Sequence, residues 1–70
     1  MRDNDIVADR RHDGRYVIRR WRASDAKLVP IDGHEDWYDE EEMYRRLNAL
    51  RKTGNTYVRE TPTSARLVQP

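Results

Sequence analysis

The chain has no cysteine and no phenylalanine, and only three glycines, three prolines and two lysines in 70 residues. Without cysteine there is no disulfide framework, no thiolate zinc site and no cysteine nucleophile. A secreted domain this small ordinarily needs such cross-links, so a cytoplasmic location is expected. Long apolar runs are missing too. Ile6-Val7-Ala8 is as long as they become, which is far too short to span a bilayer, and the charges at Arg2, Asp3 and Asp5 are not those of a secretory signal. No membrane partner is expected.

Leu, Ile and Val together number 12, fewer than a globular domain usually carries. Such a deficit signals disorder when net charge is high, but 14 basic and 13 acidic residues leave only +1. A thin-cored fold of one domain is therefore expected, since a chain of this length buries only about 60% of its unfolded surface.

Twelve of the 14 basic residues are arginine. Guanidinium suits bidentate contacts with carboxylates and phosphates, and the same bias arises from a GC-rich genome. A short, charged frame of this kind fits an accessory or inhibitory protein of an actinobacterium or bacteriophage.

Residues 1–13 carry seven charges around the Ile6–Ala8 cluster and read as a flexible tail, leaving residues 14–70 as the folded domain. Asp13-Gly14 marks a turn. Arg15–Arg22 is rich in aromatic and β-branched residues, as a strand requires, with Tyr16, Ile18 and Arg20 on one face and Val17, Arg19 and Trp21 on the other. Lys27–Ile31 returns as an edge strand containing Pro30. Asp39 followed by Glu42 forms a capping box for a helix over about Glu40 to Lys52. Met43, Leu47 and Leu50 make its apolar stripe, Glu41–Arg45 and Glu42–Arg46 pair along it, and Gly54 suits the left-handed residue after its end. Asn55–Thr61 reads as a strand ended by Pro62, and Ala65–Val68 as a short further strand or arm. The expected class is α+β: a three- to four-stranded antiparallel or mixed sheet in β-β-α-β order with one helix on one face.

Function classes follow from what this fold could display. His34, Glu35 and Asp36 are potential metal ligands, but their spacing matches neither a zinc-protease helix nor a calcium loop, so no metal or cofactor is assigned. Carboxylates are plentiful, yet a thin core offers no dry cleft to tune them and no nucleophile stands near a histidine in sequence, so no enzyme is expected. The charge runs basic, acidic, basic: six arginines in residues 10–22, seven acids in residues 32–42, then five basic residues and no acid in residues 43–59. Arg15, Arg19, Arg20 and Arg22 with Tyr16 and Trp21, extended by Tyr57 and Arg59, are candidates for nucleic-acid contact, against which stands the near-neutral total. Protein binding is the favoured class. Trp21, Trp37, Tyr38, Tyr44 and Tyr57 are the candidate contacts, because one helix shelters only one sheet face and Trp, Tyr and Arg dominate binding hot spots. Trp37-Tyr38 equally suits a hydrophobic staple at the helix start. A second copy of the chain is a reasonable partner, since dimerisation would enlarge a small core.

Overall fold

The computed structural model describes residues 1–61 and 63–68. It is an α+β fold of one helix and one mixed sheet of six strands: β1 (Ile6–Arg10), β2 (Tyr16–Arg22), β3 (Lys27–Pro30), β4 (Trp37–Tyr38), helix α1 (Glu40–Leu50), β5 (Thr56–Thr61) and β6 (Ser64–Val68). Across the sheet the order is β3-β2-β1-β5-β6, with β4 also pairing to β2 beside β3. β1 and β5 are parallel and every other pairing is antiparallel.

The sheet is larger than the three or four strands expected, and the main correction lies at the N-terminus. Residues 6–10 are not part of a flexible tail but form the central strand. Ile6, Val7 and Ala8 are all buried, so both faces of β1 are covered, and a central strand next to a parallel neighbour reads as an unbroken apolar run. The surrounding charges are used rather than solvated. Asp5 is itself buried, with one carboxylate oxygen accepting from Arg2 N (2.9 Å) and the other from Asn55 N (3.2 Å). Asp3 accepts from Ala23 N at 2.9 Å.

β2 and β3 form as expected, with β3 a four-residue edge strand carrying Pro30 at its end. Trp37 and Tyr38 make a two-residue strand on β2 as well as leading into the helix. The expected strand over residues 55–61 is β5, and its proposed stop, Pro62, lies outside the described residues.

Helix α1 starts where its cap dictates. Asp39 Oδ1 accepts from Glu42 N at 2.8 Å, and three glutamates occupy the first turn. The Glu42 side chain does not reach back to complete a capping box. It binds Arg45 (2.5 Å) and Arg46 (2.9 Å) instead. The helix ends at Leu50, whose carbonyl accepts from Thr53 N (3.1 Å) and Thr53 Oγ1 (2.9 Å). Asp39→Ala should therefore lower stability by about 1 kcal/mol, and Asp39→Ser should restore most of it, measured by thermal melting. An unchanged melting temperature would mean that the cap is dispensable.

The core lies between sheet and helix. Ile6, Ala8, Tyr16, Ile18 and Val58 from the strands meet Tyr38, Met43 and Leu47, with Ile31, Tyr44, Leu50 and Val68 packed at the margin. Burial pushes the Tyr16 hydroxyl above the ordinary tyrosine range.

Candidate interaction face of the sheet

Because side chains alternate along a strand, the strand pairings fix which residues share the face turned away from the helix. Ile6, Ala8, Tyr16, Ile18 and Val58 point to the core, so Val7, Asp9, Val17, Arg19, Trp21, Tyr57 and Arg59 point to the open face. Two rows cross it. One runs Pro30, Arg19, Val7, Tyr57, Leu67, and the next runs Trp37, Val17, Asp9, Arg59. Trp21 stands beside Leu28 at the end of the face nearer the N-terminus of β1.

The helix packs on the opposite face, and from the turn after β1 Arg11 reaches over the edge of this one at Trp37. Trp37 is 51% exposed and Leu67 41%, whereas Trp21, Tyr57, Val17 and Leu28 are half-buried. Val7 is fully buried even so, between Arg19 and Tyr57, its partners on either side. The long side chains of the face therefore lie across β1 and shelter it themselves.

Asp9 holds the centre. One carboxylate oxygen accepts from Arg19 Nη2 and the other from Arg59 Nε, joining β2, β1 and β5 through a single acid that is itself only 16% exposed. Arg19 Nε is shielded from water with no acceptor among the described residues. Arg11, the next residue on this side of the chain after Asp9, stacks its guanidinium on the Trp37 ring at 3.4 Å and meets Asp13 at 3.4 Å. The Arg15 backbone N–H, donated to Asp13 at 2.9 Å, holds the Asp13 carboxyl below its ordinary range. Arg11, Arg19 and Arg59 thus face two carboxylates.

The expected contact residues divide between locations. Trp21, Trp37 and Tyr57 lie on the open face, with Arg19 and Arg59 on the same side. Tyr38 is 8% exposed, in the core, with Arg46 stacked over its ring at 4.2 Å. Tyr44 packs at the core margin, and its hydroxyl accepts from Arg66 at 2.8 Å. Arg20 and Arg22 alternate to the other side of the sheet, where Arg20 donates to Asn4 Oδ1 at 3.2 Å and Arg22 forms a two-pronged pair with Asp25 at 2.8 and 2.6 Å. Arg15 stands exposed before β2. Trp37-Tyr38 therefore divides its roles: Tyr38 closes the core at the helix start and Trp37 faces water. The residues missed from sequence are Asp9, Arg11 and Leu67, and the missing signal was the alternation 7-9-11 along a segment read as a tail.

The chain matches no family model, no curated protein and no solved structure.

Two depressions flank the face. The smaller, 200 Å³, is lined by Asp9, Arg10, Arg59 and Thr61 at the C-terminal ends of the two parallel strands. The larger, 540 Å³ and widely open, lies at the other end among Arg2, Asp3, Arg51, Lys52 and Gly54. Among the described residues no three His, Asp or Glu side chains converge on a metal-sized space. His34 Nδ1 lies 3.1 Å from Arg46 Nη1, which also donates to Gly33 O at 2.9 Å, so this ring joins the acidic loop to the helix. No described helix is long and apolar enough to cross a membrane.

Proposed function

We propose that this chain is a non-enzymatic accessory protein that binds another protein across the open face of its sheet. The carrying observation is the placement of Trp21, Trp37 and Tyr57 with exposed Leu67 on the sheet face opposite the helix. Aromatic and arginine side chains give large contact area at low entropic loss and supply most of the energy at interfaces. An indole half exposed to water is a natural anchor.

Capture from host lysate is the test, comparing wild type with Trp37→Ala. Because Trp37 is half exposed, the variant should keep its fold while losing at least about 2 kcal/mol of binding, roughly thirtyfold in affinity, if this ring is a hot spot. Recovery of the same partners in the same yield by both proteins would count against the face.

A second reading, binding of single-stranded nucleic acid, has Arg19, Arg59, Trp21 and Tyr57 on one surface in its favour. Against it stands Asp9, a carboxylate between the two arginines that a phosphate chain would have to approach. Salt-sensitive shifts of single-stranded probes at two ionic strengths would favour this second reading.

A further inference from the structure

Resting on the proposed protein-binding role of the open face, we infer that its occupant is an acidic segment of another protein, carrying separated carboxylates among apolar side chains. The face is rich in donors and poor in acceptors. Arg11, Arg19 and Arg59 bring about fifteen N–H groups to it, and guanidinium accepts no hydrogen bond. The only carboxylates that meet them among the described residues are Asp9 and Asp13. Asp9 fixes Arg19 and Arg59 in place, so little side-chain entropy remains to be lost when a second acid arrives.

Size and pattern narrow the class. The depression beside the Asp9–Arg19–Arg59 cluster, 200 Å³ between Asp9, Arg10, Arg59 and Thr61, is below the usual range of a small-molecule site but has room for one carboxylate-bearing side chain, set against its two arginines. Around it, charged and apolar positions adjoin: Arg59 and Asp9 continue the row of Val17 and Trp37, and Arg19 stands in the row of Val7, Tyr57 and Leu67. A polyanion with a charge at every step would set one charge against Asp9 and others against the apolar groups. A peptide with isolated acids between apolar residues can set each acid on an arginine and each apolar group on a ring or Leu67.

The test uses the full chain and a short peptide of glutamate–leucine–glycine repeats. Controls are the same peptide with lysine for glutamate and an oligothymidylate of similar length. Titration followed by nitrogen–proton NMR should shift the Trp37 and Trp21 indole N–H signals and the Arg59 Nε–H signal with the glutamate peptide, and the shifts should weaken as salt rises. Arg59→Gln should weaken binding about fivefold, the effect of removing one unit charge a few ångströms from the ligand at water-like dielectric. Thermal melting checks that each variant is folded, and the wild-type signal map needs no variant. Shifts mapping elsewhere, equal binding of the lysine peptide, or preference for the oligothymidylate would each overturn the inference. If the glutamate peptide fails while Trp37→Ala still abolishes capture of a native partner, the acidic-segment inference falls and the binding face stands. If neither responds, both fall.

Discussion

Leu47→Ala is expected to remove most of the stability of this protein. Leu47 and Met43 are both fully buried and are the two helix residues in the centre of the core. Removing a buried leucine to alanine costs about 2–5 kcal/mol, more where the surroundings cannot collapse into the space. A domain of this length has a total stability of about 4–10 kcal/mol. The lost fraction is therefore large, and a loss of 3 kcal/mol would lower the melting temperature by roughly 12–24 °C. Leu50→Ala, at the core margin, should cost clearly less, and Ala49, exposed on the same helix, should tolerate serine with little change. Urea melts of the three variants give the ranking. Equal, small losses at all three positions would mean that the helix does not close the core.

That helix was the most legible element of the chain because everything that defines it is local. Its cap, acidic first turn, apolar stripe and two acid–arginine pairs all fall within twelve consecutive residues, Asp39 to Leu50. β1 was illegible for the opposite reason. Its apolar run is three residues long and its charges look solvated until their partners are known. Those partners are Arg19, ten residues away, and Arg59, fifty residues away. No window along the sequence contains all three groups, so only the parallel pairing of β1 with β5 identifies Asp9 as an internal acid. Gly54 misled in a similar way. Its position after the helix suggested a left-handed end, but the positive-φ glycines are Gly14 and Gly33, and Gly54 serves a contact with the other end of the chain.

The candidate face was half legible. Alternation along β2 correctly placed Val17, Arg19 and Trp21 together, opposite Tyr16 and Ile18. Which other rings join them depends on register between strands far apart in sequence, and register has no local marker once turns are long. Tyr57 and Trp37 share the face because they pair with Val7 and Val17. Tyr38, one residue from Trp37, goes to the core for the same reason. Arginine count alone was a poor guide. Arg20 and Arg22, next to face residues in sequence, are turned away and bound to Asn4 and Asp25.

Gly54→Ala should destabilise the protein by about 1–3 kcal/mol, the range for forcing extra atoms into a packed site. A methyl group there would lie 2.4 Å from Asn4 O, 2.9 Å from Asn4 C and 3.3 Å from Asp5 Cα. All three are backbone atoms, so no flexible side chain can move aside. The sign is diagnostic. Where the backbone tolerates it, replacing glycine with alanine usually stabilises by about 0.4–1 kcal/mol through the unfolded chain, and the φ of Gly54 is not left-handed. A loss can therefore come only from the contact with residues 4 and 5. That segment is anchored on both sides: Asn4 N donates to Trp21 O at 2.9 Å, Trp21 N to Asp5 O at 2.7 Å, and Ile6 N to Asn55 O at 2.8 Å. Pushing it outward strains the entry to β1 and, with it, the alignment of β2 and β5 that sets Trp21 and Tyr57 on one face. Gly33→Ala is the control, because its φ of 82° imposes left-handed strain of about 1–2 kcal/mol but nothing lies within 4 Å to collide. Both variants should melt earlier, but only Gly54→Ala should shift the NMR signals of Trp21 and Tyr57. A Gly54→Ala protein more stable than wild type would show that the N-terminal segment is not seated against this turn, and the central position of β1 would lose its support.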